Sequence, residues 1–174
     1  ANDSLILEIG YSSKQSVWSY YWSGFCQEVG ICQGPPADAI RLANGDTLIA
    51  IADSGQSLLE VNPARQTVSL RQGYIAYAVE QLANGDWLVP HSGLTTAKVA
   101  ELLPATGVEL WSYSPPGFSD VALMYPHYAD HTRNDTFLIA DTGKDRILEV
   151  NRNKQVIWSY AQNLKTPWSV LELP

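Results

Sequence analysis

The feature that most constrains this chain is that it repeats itself. Leu42-Ala43-Asn44-Gly45-Asp46-Thr47-Leu48-Ile49-Ala50 returns as Leu82-Ala83-Asn84-Gly85-Asp86-Trp87-Leu88-Val89 and, altered, as Asn134-Asp135-Thr136-Phe137-Leu138-Ile139-Ala140. Self-similarity at a spacing of roughly 40 to 50 residues marks one supersecondary unit stacked on copies of itself, because no single unit buries its apolar face alone.

Each copy reads as strand, tight turn, strand. Asn-Gly tolerates the positive φ of a two-residue hairpin turn, and the flanking apolar and β-branched residues supply the strands. A second shared segment follows: Leu59-Glu60-Val61-Asn62-Pro63, Ala100-Glu101-Leu102-Leu103-Pro104 and Leu148-Glu149-Val150-Asn151-Arg152, each ahead of another short strand. The closing strand carries Leu110-Trp111-Ser112-Tyr113 in one copy and Ile157-Trp158-Ser159-Tyr160 in another, with Ser69 where those copies have tryptophan. A large ring at that position packs between neighbouring sheets. No stretch has helical periodicity. The pattern predicts an all-β chain, a β-propeller of four-stranded blades with about four blades per chain.

The termini continue the pattern. Ile6-Leu7-Glu8-Ile9, Lys14-Gln15 and Trp18-Ser19-Tyr20 match Ile147-Leu148-Glu149-Val150, Lys154-Gln155 and Trp158-Ser159-Tyr160 after one insertion, and Pro167-Trp168-Ser169-Val170-Leu171-Glu172-Leu173 matches an opening strand. The expected organisation is a single propeller over 1–174, with whole blades at 36–73, 74–115 and 124–161. One further blade is divided between the ends, its outer strands in 5–22 and its inner strand in 166–174. A second register, setting Asn2-Asp3-Ser4-Leu5 against Asn134-Asp135-Thr136-Phe137, gives fewer identities. Unpaired strand edges template further pairing. Three completions stay open: a closed four-bladed monomer, two half rings joined into about eight blades, or strand donation along a row of subunits. A homo-oligomer or strand-sharing partner is therefore expected. The chain being one part of a longer propeller is a further alternative.

Composition narrows the partners. A formal charge of −7 and a pI near 4.8 disfavour nucleic acid and anionic membranes. No apolar run reaches the roughly 18 residues of a spanning helix, and Ala1-Asn2-Asp3-Ser4 lacks the regions of a signal peptide, so any such signal is expected to have been removed. Cys26 and Cys32, separated by Gln-Glu-Val-Gly-Ile, suit a disulfide closing a small loop, with two unpaired thiols as the alternative. With few lysines and many aromatics, the expectation is a secreted, periplasmic or extracellular protein.

The Asn-Gly-Asp-Thr-Leu-Ile-Ala segments, Asp141-Thr142-Gly143-Lys144-Asp145-Arg146-Ile147-Leu148-Glu149-Val150, and Ala105-Thr106-Gly107-Val108-Glu109-Leu110-Trp111 resemble secreted propeller repeats of the arylsulfate sulfotransferase, NHL and pyrroloquinoline-quinone-like types. The resemblance covers nearly the whole chain and implies fold more than function. Leu103 stands where the tryptophan-docking repeat usually has aspartate, and no adjacent cysteine pair exists, so a quinone enzyme is not expected and no cofactor is expected. Arylsulfate sulfotransferases use a histidine nucleophile supported by further histidine and arginine residues; no complete set matches here, which leaves His91 and His127 as the catalytic candidates of that alternative.

In propellers the segments leading into each innermost strand share one face of the channel with the loops joining second and third strands. Alignment puts Ala37, Tyr77, His127 and Trp168 in the first position, and Asp53, His91 and Asp141 in the second. Asp53-Ser54-Gly55 and Asp141-Thr142-Gly143 thus become His91-Ser92-Gly93. An aspartate there accepts backbone hydrogen bonds within its own turn, a task histidine performs imperfectly. Tyr77, His91, His127, Tyr128 and Trp168 are the expected ligand-binding residues, for a small molecule or glycan. His127 and His131 on one strand lie about 13 Å apart at ~3.3 Å per residue, too far to share a metal ion. No Gly-x-Ser-x-Gly or phosphate-cradling loop occurs. The residues read best as a binding or assembly module, with a sulfotransferase-like enzyme as the alternative.

Overall fold

The turns set the architecture. At the first repeat the Leu42 N–H donates to Asp46 O and the Gly45 N–H to Leu42 O, and the same pair recurs as Leu82 to Asp86 O and Gly85 to Leu82 O. Gly45 and Gly85 sit at φ +91° and +93°, while Asn44 and Asn84 stay at negative φ. The loop is therefore three residues long with glycine in the left-handed position, not the two-residue turn that Asn-Gly suggests. The Asn44 side chain explains the difference, since its Oδ1 accepts the Asp46 N–H at 2.9 Å and stabilises the turn from within. Asp135 takes the glycine's place in the third copy at φ +58°.

A computed structural model describes residues 5–21, 35–52, 56–93, 95–115 and 120–173. Cys26, Cys32, Asp53 and Ser54 lie outside the described residues. A hairpin of β1 (Leu5–Ile9) and β2 (Ser16–Tyr21) comes first. The first four-stranded blade follows: β3 (Pro36–Arg41), β4 (Thr47–Ile51), β5 (Ser57–Val61) and β6 (Thr67–Gln72). The second has β7 (Glu80–Gln81), β8 (Trp87–His91), β9 (Lys98–Leu102) and β10 (Glu109–Tyr113). The third has β11 (Pro126–His131), β12 (Thr136–Asp141), β13 (Arg146–Asn151) and β14 (Val156–Tyr160). Each blade is an antiparallel meander in sequence order, and a single 3₁₀ turn at Thr142–Lys144 is the helical element among the described residues.

The β1–β2 hairpin copies the outer half of a blade. Glu8 pairs with Trp18 as Glu149 pairs with Trp158, and in both ladders the register shifts immediately afterwards. Apolar side chains collect between the sheets. One core joins β1–β2 to the first blade through Tyr20, Ile49, Leu59 and Val61, a second joins the first and second blades through Leu48, Leu58, Trp87 and Leu102, and a third joins the second and third through Leu88, Tyr113, Phe137 and Leu148. The middle strands β4, β5 and β8 are buried along their whole length because both faces of a blade meet neighbours. Every core is thus a junction, which is how a repeat stabilises itself by stacking.

One hydrogen bond recurs at each junction. Trp18 Nε1 donates to Pro63 O at 3.0 Å, and Trp111 Nε1 donates to Arg152 O at 2.9 Å. These acceptors occupy the same place in the turn between third and fourth strands. Ser69 leaves the first blade without the ring, and the Arg71 guanidinium takes over by donating to Pro104 O. Residues 166–173 form no ladder with a described strand, yet they lie along the third blade as an innermost strand would. The Glu172 N–H donates to Asp130 Oδ2 at 2.8 Å, just as the His131 N–H donates to Glu80 Oε2 at 3.3 Å across the preceding junction.

Candidate functional site

Equivalent positions of successive repeats bring three rings into contact. Tyr77, His127 and Trp168, equivalent by alignment, meet: ring centroids lie 4.2 Å apart for Tyr77 and His127, 4.3 Å for His127 and Trp168, and 5.7 Å for Tyr77 and Trp168. Two of the three contacts are edge-on at 72°, the arrangement aromatic quadrupoles favour. Burial pushes the His127 imidazole below its ordinary value, and its Nδ1 is buried without a hydrogen-bond partner. The His127 ring thus packs between Tyr77 and Trp168, with Trp168 60% exposed beside it as an open aromatic surface.

The backbone beneath the rings is held by the three-residue motif at the second-to-third strand loop. Asp141 Oδ1 accepts the Met124 N–H at 2.6 Å, on the segment leading into β11, and Oδ2 accepts Arg146 Nε at 2.7 Å. Burial pushes the Asp141 carboxyl up, against the pull of those two donors. His91 does the corresponding job in the second blade, because its Nδ1 accepts the Ile75 N–H at 3.0 Å. That bond fixes the tautomer, so Nε2–H faces Thr96 Oγ1 at 2.8 Å. Both nitrogens of His91 are engaged, and burial lowers its pKa.

The middle residue of the motif reaches across to the next blade. Ser92 Oγ donates to Pro126 O at 2.5 Å, and Thr142 Oγ1 donates to Pro167 O at 2.7 Å. Each acceptor immediately precedes a ring of the cluster, His127 or Trp168. The glycine completes the device, since a Cβ at Gly143 would come within 2.5 Å of Met124 O, and one at Gly93 within 2.6 Å of His91 Nε2. Ser92 and Thr142 were not among the residues that sequence reasoning selected. Their signal was present as the hydroxyl shared by His91-Ser92-Gly93 and Asp141-Thr142-Gly143.

Tyr128 belongs to a different group. Its phenol is pushed up by burial first and then by Asp130, Glu80 and Asp38, the carboxylates of the innermost strands. Glu80 is raised to about 7, by burial and then by Asp130. His131 lies apart from His127, pairing with Asp135 at 2.8 Å and tilting over Phe137. Among the described residues no group of three or more His, Cys, Asp or Glu side chains is placed to hold a metal ion. A cleft of about 540 Å³ between Tyr113 and Val156 is separate from this cluster.

No protein-family model and no curated protein matches this sequence. Solved structures do. A protein of unknown function from Bacteroides caccae superposes with a TM-score of 0.69 at 17% identity, over 91% of this chain and 60% of that one. The WD40 β-propeller domain of Doa1 gives 0.63 at 12% identity, over 79% and 44%. Virginiamycin B lyase from Staphylococcus aureus gives 0.58 at 11% identity, over 76% and 43%. The fold is that of a β-propeller. At these identities the likeness extends to the fold alone, and this propeller chain spans at most 60% of the length of each of these three.

Proposed function

We propose that the chain is an extracytoplasmic propeller module for binding and assembly, whose last blade face takes up further β structure from its own chain or from another subunit. The observation that carries this reading is a difference in cover. Tyr160 is 43% exposed, whereas its equivalents Tyr20 and Tyr113 are 6% and 2% exposed. A tyrosine and tryptophan built for a junction thus stand open at the end of the third blade. The Tyr77–His127–Trp168 cluster is the place for a small-molecule or glycan ligand, with the open face of Trp168 stacking on an apolar ring face.

Kinship with the secreted sulfotransferase, NHL and quinone-type repeats is part of the reading, and the Trp111 bond to the next blade's turn supports it. A sulfotransferase-like reaction has less support, because both nitrogens of His91 are engaged and no complete set of supporting histidine and arginine residues matches around His127. The test compares two variants. Deleting residues 166–174 should abolish association while His91→Ala/His127→Ala leaves it intact; association that survives the deletion overturns the reading.

A further inference from the structure

We infer that Asn134 is an acceptor for an N-linked glycan. The inference rests on the extracytoplasmic reading above and names a modification that goes with it. Asn134-Asp135-Thr136 is an Asn-x-Thr triplet whose middle residue is not proline, the pattern that N-glycosylation requires. Such triplets also arise by chance. What distinguishes this one is the use the fold makes of its asparagine.

Asn44, Asn84 and Asn134 occupy one place in three equivalent turns. The Thr132 N–H donates to Thr136 O and the Asp135 N–H to Thr132 O, as the Leu42 N–H donates to Asp46 O and the Gly45 N–H to Leu42 O. In the first two turns the carboxamide is part of the structure. Asn44 Oδ1 accepts the Asp46 N–H at 2.9 Å while its Nδ2 donates to Asp46 Oδ2 at 3.0 Å. Asn84 Oδ1 accepts the Asp86 N–H at 3.0 Å while its Nδ2 donates to Asp86 Oδ2 at 2.8 Å and to Glu101 Oε1 at 3.2 Å. In the third turn the Thr132 hydroxyl takes over, accepting the Asn134 N–H at 3.3 Å and the Thr136 N–H at 3.2 Å. The Asn134 carboxamide is released from the turn and has no partner among the described residues, on a residue that is exposed.

This exposure belongs to the turn. The Ala43 N–H, one residue before Asn44, donates to Gln81 Oε1 of the next blade at 2.8 Å, and the Arg133 N–H, one residue before Asn134, donates to Glu172 Oε2 at 2.9 Å. Both turns are thus held by the innermost segment of the following unit, and Asn44 and Asn84 are exposed beside complete neighbouring blades. Thr136 is buried, with its hydroxyl donating to Glu149 Oε1 at 2.7 Å, so transfer precedes closure of the β11–β12 hairpin. Asn134 Nδ2 attacks the anomeric carbon of a lipid-pyrophosphate-linked oligosaccharide. A C–N bond replaces the C–O bond to phosphate, the lipid pyrophosphate leaves with the electron pair, and the amide gives up one proton. In the folded chain the sugar stands at the Thr136 end of β12, roughly 17 Å along the strand from Asp141, and leaves the Tyr77–His127–Trp168 cluster uncovered.

The test is peptide mapping by mass spectrometry of the full chain recovered from fractionated cells that make it, beside Asn134→Gln and Thr136→Ser variants whose folding is checked by circular dichroism. The expected result is a sugar mass on the peptide that holds Asn134, lost in Asn134→Gln and kept in Thr136→Ser, with both variants folded. An unmodified Asn134 in chain found outside the cytoplasm overturns the inference and leaves the extracytoplasmic reading standing. Chain found in the cytoplasm and unmodified overturns both. A glycan confined to Asn2, in the Asn2-Asp3-Ser4 triplet outside the described residues, also overturns the inference.

Discussion

Trp111 and Trp158 occupy the same place in consecutive blades, each followed by Ser and Tyr, and their surroundings differ completely. Trp111 lies against Phe137 with centroids 4.2 Å apart and donates to the third blade's turn, while Trp158 is 47% exposed and its indole N–H has no acceptor among the described residues. The tyrosine two residues on goes from 2% to 43% exposed. Burial in this molecule therefore belongs to the junction rather than to the blade. A blade contributes half of a core and depends on its neighbour for the rest.

The largest effect should separate these two tryptophans. Trp111→Ala removes a stacked ring and a part-buried junction bond, and should cost about 3 kcal/mol in urea unfolding. Trp158→Ala, at a ring 47% exposed, should cost less than about 1 kcal/mol, as an exposed substitution does. Equal losses would break the comparison.

Next comes pH. Glu80 spans the junction between the second and third blades, facing Asp130 and His131 on the adjoining strand, and its folded-state pKa of about 7 stands above the ordinary 4.5. The fold favours the protonated form, so the stability this group contributes is complete below about pH 4.5 and is lost as pH rises through 7. Glu80→Gln should remove that decline, worth on the order of 2 kcal/mol after allowance for partial exposure. Chemical unfolding at pH 5 and pH 8 measures it; a variant whose stability falls in parallel with the parent would show that Glu80 is not the titrating group.

Smaller still are the hydroxyl staples. Ser92→Ala, between two complete blades, should cost about 1 kcal/mol through loss of a buried hydrogen bond. Thr142→Val should leave global stability within about 0.5 kcal/mol, because its acceptor lies on the end segment, and should speed amide exchange locally in residues 167–173. Equal global losses from the two, with no local change in exchange, would mean that the end segment is as much part of the core as a complete blade.

The repeat carried the four-stranded unit and the absence of helical pattern openly, because strand alternation and turn chemistry are local. The alignment that paired Tyr77, His127 and Trp168 corresponds to three rings in mutual contact, since equivalent positions on stacked units lie side by side. What the repeat concealed was relational. Ser69 looked like a missing tryptophan, and only the position of Pro104 reveals Arg71 as the substitute donor. His91 looked like a change of chemistry, yet it keeps the acceptor role of Asp141 for a backbone N–H some sixteen residues upstream. Asn-Gly points to a two-residue turn, whereas the loop is three residues long because the Asn44 side chain, not a second positive φ, closes it.

A crystal structure of the protein tests the central claim most directly. The account predicts Trp158 and Tyr160 covered by the turn of a further blade, with Tyr160 buried to the extent of Tyr113. Trp158 and Tyr160 left in solvent, or covered by something other than a blade's turn, would contradict it.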